Sequence, residues 1–226
     1  MKPNAEPKPT VPVVDTYLTL AQAATGDFRD RGSKFLAYAY PVENEKEALA
    51  WVEQLRREHH KANHHCFAYR LGTDKHNFRA SDDGEPSGTA GRPILGQIDS
   101  FGLTNALVVV VRYFGGTLLG TSGLIQAYRA SAQEALQQAE KVEKILEARF
   151  RIHFSYPLMS SVMNAVKRLH LPVMKQEFHL DGTIETAIRL SLIEETLLKL
   201  KAAIAGVSEE EAATLPDLED CDITQI

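Results

Sequence analysis

Two short glycine-bearing segments of this chain carry cations close by, and either could hold an anion. The first is Arg112-Tyr113-Phe114-Gly115-Gly116, which follows the apolar run Leu107-Val-Val-Val-Val111. Glycine lacks the Cβ that would hold a ligand away, so backbone N–H groups at Gly115 and Gly116 can approach a phosphate, with Arg112 adding a two-pronged contact. The competing reading makes the glycines a tight strand-to-helix connection and pairs Arg112 with a carboxylate such as Asp82 or Asp83. The Lys-[Ser/Thr] of a nucleotide P-loop is absent, which excludes that motif. Arg31-Gly32-Ser33-Lys34 is the second segment. If its hairpin folds over the first, Arg31, Ser33 and Lys34 join Gly115 and Gly116 around one anion.

The loop Asp82-Asp83-Gly84-Glu85 carries three carboxylates in four residues. That is enough for a hard divalent cation, or for acid/base work if a basic neighbour shifts one pKa. Its spacing matches no recognised cation loop, so neither metal nor cofactor is expected; such loops are usually solvated turns, and this one can instead order a basic patch through Arg70 or Arg92. Ser87 and Ser122 lack the context of a nucleophile elbow, and Cys66 that of a catalytic cysteine. Five of the eight histidines fall between His59 and His76 and, with Arg56, Arg57, Lys61, Arg70, Lys75 and Arg79, make the most cationic stretch of the body. It is the candidate surface for an RNA backbone. His64 and His65 are adjacent and point to opposite faces of a strand, which makes them a poor metal pair. Phe67, Tyr69 and Phe78 interleave with these cations; Phe67 and Tyr69 sit at strand alternation and read as core ahead of base-stacking platforms.

The elements that must carry these residues follow from hydrophobic periodicity. Residues 17–25 and 34–41 alternate as the strands of an opening hairpin, with Gly26 and Arg29-Asp30-Arg31-Gly32 in the loop between. Ala48, Val52 and Leu55 recur at helical spacing to about His59, residues 65–71 read as a strand, 91–98 as a short helix, and 105–113 as a central strand buried on both faces. Helical spacing resumes over 119–139. Beyond it, Phe150, Ile152 and Phe154 alternate as a strand, Pro157 opens a helix, and Asp181-Gly182 signals a hairpin between residues 173–180 and 183–192. A helix over 194–204 closes a β-α-β-β-α order, that of a ferredoxin-like half, while Pro216 and the surrounding acids argue against the expected last strand.

The 226 residues suit two domains of about 100 residues each. The expected division is a flexible arm over 1–14, a first domain over 15–142, a second over 143–205 and an acidic tail over 206–226. With 44% hydrophobic and 24% charged residues, the composition is that of a soluble globular protein. No apolar run approaches the roughly 18 residues of a membrane span, and the polar, proline-rich amino terminus lacks the apolar stretch of a secretion signal. A cytoplasmic address and no membrane partner are expected. Cys66 and Cys221 form no framework or zinc spacing and read as free thiols. The net charge of −5 hides a weakly positive body, because the seven acids after Ala205 face no Lys or Arg and their removal leaves +2.

Gly91-Arg-Pro-Ile-Leu95 through Ile98, Leu103 and Val109-Val110 to Arg112-Tyr-Phe-Gly-Gly116 and Leu119-Gly120 resembles the signature of the IMPACT/YigZ family. Arg31-Gly-Ser-Lys-Phe35, Ala62-Asn-His-His-Cys-Phe-Ala-Tyr-Arg70 and Ser81-Asp-Asp-Gly-Glu-Pro-Ser-Gly-Thr-Ala-Gly91 are similar to upstream elements of the same family. The likeness spans residues 16–140. The second half is similar, by pattern, to the smaller carboxy-terminal domain of the bacterial YigZ branch. The resemblance implies an α+β protein: an amino-terminal α/β domain similar to the second domain of ribosomal protein S-five-like folds, then a ferredoxin-like domain similar to one in elongation factor G. It also implies work in translation, since eukaryotic relatives act in translational control by binding a partner of a stress kinase. Three readings follow. The first is a non-enzymatic binder of RNA, the ribosome or a translation-associated protein, using the basic, glycine-rich surface of the first domain. The second is a hydrolase using Asp82, Asp83 or Glu85 with His64 or His65, and the third a protein-interaction module without nucleic acid.

Overall fold

The computed structural model describes residues 15–74 and 76–226; the arm expected over 1–14 and the Lys75 of the cationic stretch lie outside them. The described chain divides into two compact units, Tyr17–Lys144 and Ile145–Ile226, the latter joined by the residues just before Tyr17.

The first unit runs β1 (Thr16–Leu20), β2 (Ala24–Asp30), β3 (Ser33–Pro41), α1 (Glu45–Glu58), β4 (His64–Leu71), β5 (Asn77–Ser81), α2 (Gly91–Ser100), β6 (Ala106–Tyr113), α3 (Gly120–Gln138) and β7 (Lys141–Ile145). β1 pairs with β7, and the other five strands form one sheet in the order β2-β3-β6-β4-β5, antiparallel throughout. The β-branched run of β6 takes the centre, buried from Ala106 to Arg112. Because successive side chains alternate across a strand, the run feeds two cores. Val108 and Val110 join Phe35, Cys66 and Ala68 beneath α2 and α3, while Leu107, Val109 and Val111 join Phe67, Tyr69 and Leu71 beneath α1. Phe67 and Tyr69 are thus core, as their alternation indicates, and Phe78 is exposed. α1 starts where the Asn44 side chain accepts the Glu47 N–H at 2.9 Å, a side-chain cap for one of the helix's unpaired donors.

The opening hairpin differs from expectation. β2 continues through Gly26 to Asp30, and the turn is confined to Arg31-Gly32, both at positive φ (44° and 81°). Gly26 reads as a loop residue in sequence, yet a Cβ there would lie 2.6 Å from the Ala135 backbone nitrogen, so this glycine serves the close packing of β2 against α3. β5 has no clear sequence signature because it is an edge strand, exposed along most of its length.

The second unit runs β8 (Glu147–Ser155), a 3-10 turn, α4 (Met159–Arg168), β9 (Val173–Phe178), β10 (Asp181–Arg189), a second 3-10 turn, α5 (Ile193–Ala205), α6 (Glu209–Ala212) and β11 (Cys221–Gln225). The sheet order β11-β8-β10-β9 sets the fourth strand beside the first, then the third, then the second, which is the ferredoxin-like arrangement. Ile152, Phe154, Val162, Ile184 and Leu200 form its core.

Two expectations are corrected here. The segment 206–226 is folded: Ser208 and Glu211 form a reciprocal capping box, three glutamates occupy the first turn of α6, where the helix dipole favours them, and β11 pairs with β8 from Cys221 to Gln225. Its acids point outward while Cys221 and Ile223 join the core. The second hairpin turns at His179-Leu180 rather than at Asp181-Gly182. Gly182 lies inside β10, opposite Phe154, where a Cβ would come 2.3 Å from the Phe154 ring. Among the described residues no helix is long and apolar enough to cross a membrane.

Candidate functional site

The ends of β3, β4 and β6 meet the loop over residues 82–88 and the start of α3, and there the polar residues gather. In β6 the alternation that places Val108 and Val110 under α3 also places Arg112 there, at 5% exposure. Its Nη1 donates to Glu85 Oε1 at 2.5 Å and its Nη2 to Ser33 Oγ at 3.4 Å. The guanidinium lies between two rings, 5.4 Å from the Phe35 centroid and 5.6 Å from that of Phe114. Tyr128 of α3 donates its hydroxyl to the same Glu85 oxygen at 2.8 Å, and Cys66 Sγ is 3.3 Å from that hydroxyl. Burial pushes the Tyr128 hydroxyl and the Cys66 thiol well above their usual pKa, which favours the neutral form of both.

The ion pair considered for Arg112 is therefore formed, but with Glu85. Asp82 and Asp83 are occupied elsewhere. Asp82 accepts the N–H groups of Gly88 at 2.8 Å, Ala90 at 3.0 Å and Gly91 at 2.8 Å, and so caps α2. Asp83, at φ +43°, takes Arg56 at 2.6 Å and the His65 N–H at 2.6 Å. Its carbonyl lies 2.8 Å from His64 Nδ1; a carbonyl only accepts, so the proton is on Nδ1, and Nε2 is left 3.8 Å from Glu85 Oε1. His65 lies on the opposite face, and burial lowers its pKa, opposed by Asp83. No cluster of His, Cys, Asp and Glu suited to a metal occurs among the described residues.

The diglycine corner is open to solvent, yet two of its amides are engaged: Phe114 N–H donates to Asn63 Oδ1 at 2.9 Å and Gly115 N–H to Ser33 Oγ at 3.2 Å. The anion cradle expected from sequence is thus partly filled by the protein itself. At Gly115 a Cβ would lie 1.9 Å from the Gly32 carbonyl carbon, so the two glycine motifs meet backbone to backbone. Gly116, at φ +86°, faces open space. Arg31 is exposed in its turn, and Lys34 follows Ser33 onto the other face of the sheet, 3.5 Å from Asp27. Arg70 forms a bidentate pair with Asp99 on α2. Ser87 and Arg92 are exposed.

Above the Arg112–Glu85 pair lies a cavity of ≈ 390 Å³ lined by Asn63, His64, Glu85, Pro86, Arg112, Phe114, Leu118, Leu119, Gly120, Thr121 and Leu124. Beside it, past Pro86 and Ser87, a groove of ≈ 460 Å³ runs between α2 and α3 and is lined by Gly88, Arg92, Pro93, Gly96, Gln97, Ile125 and Arg129. The helical spacing over 119–139 carries Tyr128 and Arg129 without singling either out, and the sequence picks neither Asn63 nor Leu118 as a site residue. The one signal available was Leu118-Leu119 beside two glycines, where one leucine is buried and the other 82% exposed.

Residues 31–136 match the Impact N-terminal domain, a span that contains every member of the Ser33–Glu85–Arg112–Tyr128 cluster. An "IMPACT family member" of Haemophilus influenzae is 35% identical over 192 residues, covering 84% of this chain and 93% of that protein. This chain belongs to the IMPACT family. The IMPACT family member YigZ of Escherichia coli is 30% identical over 83% of this chain and 93% of its own length. A crystal structure titled as that of "an hypothetical protein" superposes with a TM-score of 0.69 at 28% identity, covering 95% of this chain and 98% of that one. The IMPACT match begins at Arg31 and ends in α3 at Leu136, so the family's amino-terminal domain includes the turn before β3, the 82–88 loop and every residue that lines the cavity.

Proposed function

We propose that this chain is a binding protein of translational control that engages a translation-associated protein through the cavity at the start of α3. The observation that carries this reading is the lip of that cavity. Phe114 and Leu118 stand 45% and 82% exposed over a floor whose charges, Arg112 and Glu85, cancel within the protein. Large exposed side chains around a concave, mostly apolar site are the anatomy of a protein-binding hot spot. Three arginines of the expected RNA surface are balanced within the protein, Arg56 by Asp83, Arg70 by Asp99 and Arg79 by Glu45, while Arg57 and Lys61 are exposed without an ion pair among the described residues and line neither the cavity nor its groove. The loop carboxylates favour a binding role over a hydrolase, because Asp82 and Asp83 spend their oxygens on backbone amides and Arg56. Translation enters through family membership.

The test is affinity capture with the full chain from a nuclease-treated lysate, followed by identification of what is retained. Ribosomal proteins or translation factors should be recovered, and Leu118→Asp should lose them while keeping its thermal stability. Retention by Leu118→Asp, or loss of all partners on nuclease treatment, would remove the proposal.

A further inference from the structure

On the footing of that reading, the geometry points to the chemistry of the partner: a peptide segment carrying an apolar anchor closely flanked by carboxylates. The anchor fills the cavity at the start of α3, and the carboxylates meet Arg92 and Arg129 in the neighbouring groove.

Position, more than charge alone, sets these two arginines apart: Arg31, Lys46, Arg57, Lys61 and Lys144 are exposed cations of the first unit too, but they line neither the cavity nor the groove. Arg29 and Lys34 lie beside Asp27, Arg56 pairs with Asp83, Arg70 with Asp99, Arg79 with Glu45 and Arg112 with Glu85. Arg92 and Arg129 are both exposed and, among the described residues, neither makes an ion pair or hydrogen bond, while the groove they line holds no carboxylate. Asp82 acts on Arg92 only at longer range, since its oxygens already accept three backbone N–H groups. The groove is thus a place where positive charge is left for something outside the chain, and the planar fork of arginine suits a carboxylate.

Continuity joins the charge to the apolar cavity. Thr121 lines the cavity and Ile125 and Arg129 line the groove. At spacing i, i+4 and i+8 they form one stripe along α3, about 12 Å long at 1.5 Å per residue. About four residues of extended chain, or two turns of helix, span that length. An RNA backbone could use the arginines but would leave a cavity walled by Leu119, Leu124 and Phe114 unfilled. A peptide with an apolar side chain beside its acids uses both.

Fluorescence anisotropy with the full chain tests this. The probes are a labelled peptide bearing one phenylalanine followed within a turn by two glutamates, its glutamine counterpart, its alanine-for-phenylalanine counterpart and a labelled oligouridylate. The acidic, phenylalanine-bearing peptide should bind best, and Arg92→Glu with Arg129→Glu should weaken it at least about fivefold, an effect that shrinks as salt is raised. Leu118→Asp should weaken it independently. Equal binding of the glutamine peptide, or indifference to the double reversal, would overturn the assignment of acidic chemistry; loss of binding in Leu118→Asp alone would then still support a protein partner at the cavity. Preferential binding of oligouridylate, lost in the arginine variants, would give the groove to RNA and overturn the proposal. Both arginines are exposed, and circular dichroism of each variant separates lost binding from lost fold.

Discussion

The residues that define the site do so through burial more than through exposure. Glu85 and Arg112 retain only 4% and 6% of their side-chain surface, and a pair so placed contributes less by its attraction than it costs when half of it is removed. Glu85→Gln leaves Arg112 as a buried charge with a weaker acceptor, and Tyr128 with one too. A loss of about 3 kcal/mol is expected in urea unfolding, whereas Glu85→Leu combined with Arg112→Met should lose clearly less than the two single losses together. Additive losses would show that the two side chains do not act as one unit. The Arg112 Nε, buried without a partner, fits the same picture: the strand end is fixed by Glu85, Ser33 and the rings of Phe35 and Phe114 at the expense of one unsatisfied donor.

At the scale of elements, Asp82 links the loop to α2. Burial raises its pKa, but the N–H groups of Gly88, Gly91 and Ala90 and the charge of Arg92 outweigh this and hold it below the usual 3.8. A depressed carboxylate stabilises the fold above its unfolded pKa, and that stability is lost as pH falls through the lower folded value. Asp82→Ala should therefore cost about 1–2 kcal/mol at pH 7, and the gap to the parent should close below about pH 4 as the parent's own carboxylate takes up its proton. Chemical denaturation across that range measures both; a gap independent of pH would mean that packing, not the charged cap, is lost. Elements of this kind were legible where periodicity and chemistry agree, as in α1, α3 and the β-branched β6. They were not legible where a residue serves a distant neighbour. Gly26 and Gly182 look like turn residues but sit in strands for want of room beside Ala135 and Phe154. β11 looked like a tail because its acids dominate, while Cys221 and Ile223 alternate inward. The site shows the same limit: Arg112, Ser33 and the glycines stood out, but nothing in sequence selects Glu85 over Asp82 as the partner of Arg112.

At the scale of the molecule, charge and structure divide along the same line. Residues 17–144 carry fifteen Lys and Arg against fifteen Asp and Glu, so the whole excess of −5 falls in residues 145–226. The +2 left once residues 206–226 are subtracted lies in residues 145–205, so the first unit is neutral and binding there must come from local, unpaired cations such as Arg92 and Arg129 and not from a general field. All lining residues of the cavity and the groove lie in that unit, while the second unit rests on its own core of Ile152, Phe154, Val162 and Leu200. Ile152 is fully buried, and Ile152→Ala opens a cavity worth about 2–5 kcal/mol of the second unit's stability. Calorimetry should show that loss in one transition, with the transition of residues 17–144 in place. The affinity of the acidic, phenylalanine-bearing peptide should stay within about twofold, because additivity holds for sites that share no partners. A parallel fall in peptide affinity would mean that the α3 face depends on the second unit for its form.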